Sequence, residues 1–106
     1  MELNWEQKFA ALQALAEYPD NVNLKMRSLG NWYCSVSGIE VRQSNCLVGK
    51  YGNGANPQEA IENCFLMLTT LPKDEVLVRN AMTEKRSYFR WNGFMWKQEA
   101  EAPEAS

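Results

Sequence analysis

Between residues 22 and 51 the chain repeats one pattern: apolar side chains at every second position, interrupted by short turn signals. VNLKMRS (22–28) sets Val22, Leu24 and Met26 against Asn23, Lys25 and Arg27, the alternation of a half-buried strand. WYCSV (32–36) sets Trp32, Cys34 and Val36 against Tyr33 and Ser35, and IEVRQ (39–43) sets Ile39 and Val41 against Glu40 and Arg42. CLVGKY (46–51) reads as a further strand. Leu29-Gly30-Asn31, Ser37-Gly38 and Ser44-Asn45 supply turns, and Ser37-Gly38 predicts a two-residue hairpin between the strands beside it.

Helical patterns flank this region. Asn4 can cap a helix with Gln7 at the capping-box position, and Trp5, Phe9, Leu12 and Ala16 follow at helical spacing, predicting a helix over 4–17. Asn56, Pro57 and Glu59 form a second helix start, with Ile61, Cys64, Phe65 and Leu68 as its buried stripe and Leu71-Pro72 as its stop. EVLVRN (75–80) alternates as a strand. In KRSYFRWNGFMWK (85–97), Asn92-Gly93 suits a type I′ hairpin turn that pairs Trp91 with Phe94 and Phe89 with Trp96. The order α-β-β-β-β-α-β-β-β predicts an α+β fold, an antiparallel sheet of about six to seven strands with two helices on one face.

The length of 106 residues suits one domain, placed over 1–97. QEAEAPEAS (98–106) carries Glu99, Glu101 and Glu104 and no base, and reads as a disordered acidic tail. The body is left near neutral, which argues against broad nucleic-acid binding. No apolar run approaches membrane-spanning length, and the acidic, amphipathic start MELNWEQKF is unlike a signal peptide, so a cytoplasmic protein without membrane association is expected.

Cys34, Cys46 and Cys64 lack CxxC spacing and the chain has no histidine, so they are expected to be small buried thiols rather than metal ligands or a disulfide framework. The lack of histidine also removes Ser/His and Cys/His nucleophilic pairs. No pattern of carboxylates suggests acid–base work, and no motif suggests a cofactor. A binding protein is expected rather than an enzyme.

Two stretches suggest what it binds. GKYGNGANP (49–57) matches neither a Walker nor a Rossmann loop. It reads as a strand-to-helix connection whose bare backbone at Asn53 and Gly54 can approach a ligand. The 85–97 hairpin has one face of Phe89, Trp91, Phe94 and Trp96, expected in the core, and another of Arg86, Tyr88, Arg90, Met95 and Lys97. Guanidinium groups fork onto phosphate and tyrosine rings stack on bases. Arg42, expected beside Tyr33 across the 32–43 hairpin, repeats the pairing, and Lys25 and Arg27 add charge on strand positions.

WYCSVSGIEV, LVGKYGNGANPQEAIENCF and KRSYFRWNGFMW together resemble a set of small bacteriophage and prophage proteins. Among characterised phage families the chain most resembles the sponges that counter Thoeris immunity. The resemblance implies a homo-oligomer that sequesters a small phosphorylated nucleotide, of the cyclic ADP-ribose or cyclic oligonucleotide type, without cleaving it. Arg86 and Arg90 would be its phosphate-binding pair and Tyr51 its adenine-stacking ring. The alternatives are a phage inhibitor that binds a host defence protein directly, and an RNA-binding domain.

Overall fold

The computed structural model of the chain describes residues 2–43, 46–79 and 86–99. Its elements are α1 (Trp5–Leu15), a 3-10 turn (Pro19–Asn21), β1 (Val22–Ser28), β2 (Asn31–Val36), β3 (Ile39–Gln43), β4 (Cys46–Val48), β5 (Tyr51–Gly54), α2 (Pro57–Thr69), β6 (Glu75–Arg79), β7 (Ser87–Trp91) and β8 (Trp96–Glu99). The class is α+β, but the described strands number eight and form two antiparallel sheets rather than one, ordered β1-β2-β5 and β4-β3-β6-β7-β8.

One long ribbon produces both sheets. Residues 31–43 run against 46–54, but in two registers: Trp32 faces Gly54, whereas Val41 faces Val48. Nine steps along the first strand therefore match six along the second, leaving three residues extra. They are absorbed around Ser37-Gly38, where Gly38 takes φ +82° and Ser37 N donates to Asn21 O at 2.7 Å. Ser37-Gly38 thus closes no hairpin between β2 and β3, contrary to its local signal. It passes the chain from one sheet to the other, as Gly49-Lys50 does on the return strand.

The inner faces of both sheets meet the helices in one core. Cys34 and Val36 of β2, Ile39 and Val41 of β3, Leu77 of β6 and Phe89 of β7 pack with Leu12, Ile61, Cys64, Phe65 and Leu68. Each large aliphatic side chain removed from water there contributes about 1.5–3 kcal/mol. Both helices start at their expected caps, but only the first closes a capping box. Asn4 Oδ1 accepts from Gln7 N at 2.8 Å and Gln7 Oε1 accepts from Asn4 N at 2.9 Å, a reciprocal box. Asn56 Oδ1 accepts from Glu59 N at 2.8 Å, and Glu59 does not return the bond.

The C-terminal hairpin pairs two residues out of its expected register, with Trp91 facing Trp96 and Phe89 facing Gln98. Asn92 causes the change. Its Oδ1 accepts from both Phe94 N and Met95 N, which opens the turn to four residues. A shift of two keeps every strand side chain on its face, but it moves Phe94 out of the predicted core to 84% exposure. Trp91 and Trp96 stack edge-on with Phe65, and Trp96 Nε1 donates to Ala11 O at 2.7 Å, so the hairpin is fastened to both helices. Gln98 and Glu99 belong to β8, so the strand extends into the segment expected to be tail. The remainder of that segment, 100–106, lies outside the described residues.

Candidate functional site

The glycine stretch is a strand, not a loop. Alternation along β5 turns Gly52 and Gly54 toward α2, and the contact leaves no room for a side chain. A Cβ on Gly52 would lie 2.1 Å from Cys64 N and 2.6 Å from the Asn63 carbonyl carbon, and one on Gly54 would lie 2.5 Å from Ala60 N. The helix backbone rests directly on the strand, the close approach for which glycine is selected inside a sheet. Gly54 therefore faces α2, and its bareness serves packing.

The same alternation turns Tyr51 and Asn53 outward. Strand register places them in two cross-strand rows, Asn23–Ser35–Tyr51 and Lys25–Tyr33–Asn53. Arg27 sits where the β1/β2 register slips, between Met26 and Ser28. Its guanidinium carbon lies 4.6 Å from the centre of the Tyr33 ring and 5.3 Å from that of Tyr51. The two ring centres are therefore no more than about 10 Å apart. Neither contact is a hydrogen bond, so both leave the guanidinium N–H donors for another acceptor. None of those donors has a hydrogen-bond partner among the described residues.

This face is electrostatically one-sided. β1, β2 and β5 comprise 7, 6 and 4 residues, and none of them is acidic. The described ion pairs join Lys8 to Glu62, Arg79 to Glu17 and Arg90 to Glu99, leaving Lys25, Arg27 and Lys50 without carboxylate partners among the described residues. A cleft of about 340 Å³ adjoins Tyr51, lined by Gly49, Lys50, Tyr51, Asn53 and Met67. An anion arriving here meets cations, amides and two rings, and no carboxylate from these three strands.

The other predicted site residues stand on the five-stranded sheet and do not join this group. Arg42, on β3, faces Leu47 and Val76 rather than lying beside Tyr33, because β2 and β3 do not pair. Tyr88 packs with Leu47 over the buried Val76 and Val78. Arg90 is committed to the fold: Nε meets Glu99 Oε1 at 3.1 Å, Nη1 donates to Pro72 O at 3.4 Å, and Nη2 donates to Lys73 O at 3.3 Å and to Glu75 O. Arg86, exposed just before β7, is also engaged. Sequence reasoning treated Lys25 and Arg27 as auxiliary charge and passed over Lys50. The usable signal was the lack of any Asp or Glu in 22–36 and 46–54.

Two further clefts are apolar. One, of about 500 Å³, lies among Trp5, Phe9, Leu24, Pro57 and Ile61. The other, of about 370 Å³, lies between α1 and the C-terminal hairpin, with Phe94 and Met95 at its wall. Cys34 and Cys64 are buried against each other between β2 and α2, whereas Cys46 is exposed on β4, contrary to expectation. The hydrogen bond to Cys34 holds the Cys64 thiol above its ordinary range and burial adds to the effect. Among the described residues no cluster of potential metal ligands forms, and no helix is long and apolar enough to cross a membrane.

No protein-family model matches the chain, and no curated protein or solved structure is significantly similar to it. The functional reading rests on the chemistry of the Tyr33–Arg27–Tyr51 face.

Proposed function

We propose that the protein is a non-catalytic binding module that captures a phosphorylated nucleotide on the outer face of the three-stranded sheet. The observation that carries this reading is Arg27, held by the rings of Tyr33 and Tyr51 with its N–H donors unspent, on strands that contain no acid. Rings that stack on a base and a guanidinium that forks onto phosphate are the two halves of nucleotide recognition. Tyr51 keeps the stacking role expected of it, Asn53 takes part through its side chain rather than its strand-paired backbone, and Arg27, Lys25 and Lys50 take the place of Arg86 and Arg90. In the phage setting that the sequence motifs resemble, such a protein is a sponge for a cyclic ADP-ribose-type or cyclic oligonucleotide immune signal. It would work in the cytoplasm of the infected or lysogenic bacterium, as a homo-oligomer in which a neighbouring copy covers the open face.

The test is a thermal-shift series with adenine nucleotides, ADP-ribose and cyclic ADP-ribose isomers, on the full chain and on Arg27→Ala. At least one ligand should raise the midpoint, the variant should lose that rise, and chromatography should recover the ligand unchanged. Absence of a shift with every ligand, confirmed by calorimetry, sinks the reading.

A second reading, a phage inhibitor that binds a host defence protein, draws on a different region. Phe94 and Met95 are 84% and 61% exposed at the hairpin tip, beside the aromatic cleft. Large apolar side chains grouped at a groove are what a protein interface buries. Phe94→Ser should abolish capture of such a partner while leaving nucleotide binding intact.

A further inference from the structure

We infer that the unit recognised by this face is a dinucleotide, two bases joined by one phosphodiester, with one base on Tyr33, one on Tyr51 and the linking phosphate at Arg27. The inference rests on the nucleotide reading and adds the size of the ligand to it. The face holds two rings where a mononucleotide needs one. Tyr33 faces Asn53 and Tyr51 faces Ser35, so the tyrosines are diagonal neighbours on adjacent strands. Such positions are roughly 7–8 Å apart, which lets each ring serve a separate base.

Arg27 reaches both rings at once. A group that bridges two stacking positions lies where the phosphate joining two stacked bases must pass, and its in-plane donors are suited to fork onto that phosphate. Lys25, in the Tyr33 row, and Lys50, next to Tyr51, place a further cation near each tyrosine for flanking phosphates. Ser35 and Asn53 stand in the same rows and offer both donors and acceptors to base edges, whereas the Asn23 amide is engaged by Ser37 Oγ at 2.7 Å. Sheet faces bearing adjacent aromatic residues recognise unpaired bases in this way, and a duplex presents no free base face to them.

The dinucleotide unit has two possible sources, a segment of single-stranded nucleic acid or a free dinucleotide, and titration distinguishes them. Fluorescence or calorimetric binding to the full-length protein would compare AMP, a linear diadenylate, an eight-nucleotide single-stranded RNA, the corresponding DNA and an RNA duplex. The diadenylate should bind at least about tenfold more tightly than AMP, the order of one added stacking contact. Tyr33→Ala and Tyr51→Ala should each remove most of that gain, with circular dichroism unchanged. Arg27→Ala should reduce the salt dependence of single-strand binding by about 0.7 in log–log slope, and Tyr18→Ala, away from the face, should change nothing. An eight-mer that binds more tightly than the diadenylate, beyond the number of its registers, assigns the unit to a strand; equal affinity assigns it to a free dinucleotide. AMP binding as tightly as diadenylate overturns the inference and leaves the nucleotide reading standing. Failure of every ligand overturns both.

Discussion

Arg90 and Arg27 are both strand arginines near tyrosines, on different sheets, and their surroundings differ. On the five-stranded sheet Arg90 meets Glu99 across the β7/β8 hairpin and the carbonyls of Pro72, Lys73 and Glu75 behind it. On the three-stranded sheet Arg27 meets two rings and no carboxylate. Both contacts are favourable, but only the first uses the arginine's N–H donors. A basic and aromatic alternation therefore leaves its donors unspent only where no carboxylate or open carbonyl lies within their reach. On the five-stranded sheet Glu40 and Glu99 stand in the same cross-strand row as Tyr88.

The most disruptive test removes the support beneath the proposed binding face. Gly52→Ala puts a methyl group 2.1 Å from Cys64 N, a backbone atom that cannot swing aside. α2 must move off β5 or the strand must bend, at a cost of about 3 kcal/mol or more. Chemical denaturation should show that loss, and residual ligand binding should fall with it. A neutral Gly52→Ala would mean that the glycines of β5 are not there for helix contact, and would reopen their role at a ligand.

Arg90→Ala separates the two arginines directly. Its loss leaves Glu99 and three backbone carbonyls without their charged donor, so stability should drop by about 2 kcal/mol, in the range for hydrogen bonds to charged groups. Nucleotide affinity, measured well below the unfolding midpoint, should stay within about twofold. Strong loss of affinity with little loss of stability would return the site to the C-terminal hairpin.

The inner side of the three-stranded sheet supplies a pH test. Cys64 is raised because its thiol donates to Cys34 and is buried, while Cys34, the acceptor in that bond, is lowered despite its own burial. In the unfolded chain both thiols ionise near pH 8.5. Above that pH the unfolded state has released the Cys64 proton that the folded state keeps. Stability should therefore fall by about 1.4 kcal/mol per pH unit. Urea midpoints from pH 7 to 9.5 should trace that fall. Iodoacetamide should label Cys46 in the native state and all three cysteines only after unfolding.

Features decided by neighbours in the chain were legible in the sequence. Asn4 and Asn56 cap the helices, the α2 stripe is buried as spaced, and the alternation of β2 and β3 assigns their inward residues, whereas Met26 of β1, expected inward, is 54% exposed. Ser37-Gly38 misled because its local fit to a hairpin is good. The ribbon divides instead because β1 and β6 compete for its two halves, and such partners are distant in sequence. The β7/β8 register slipped by two without changing faces, so Phe89, Trp91 and Trp96 were read correctly as the core side from a wrong pairing, while Phe94 fell in the turn and outside the core. Of the proposed site, Tyr51 was singled out from the sequence, whereas Asn53 lies in a strand rather than the expected loop, and the fate of Arg90 depended on Glu99, an acid that composition alone had assigned to the tail.

The smallest expected change in stability is the most informative about function. Arg27 is exposed, and its cation–π contacts contribute about 0.5–1 kcal/mol at such a site. Arg27→Ala should lower the denaturation midpoint by that much or less, while nucleotide binding weakens by tenfold or more through loss of a charge-assisted phosphate contact. Arg27→Lys separates charge from shape: a lysine keeps the positive charge but neither bridges two rings nor forks onto a phosphate. Restored affinity in Arg27→Lys would reduce the face to a general positive potential, whereas affinity close to that of Arg27→Ala would tie recognition to the planar guanidinium between Tyr33 and Tyr51.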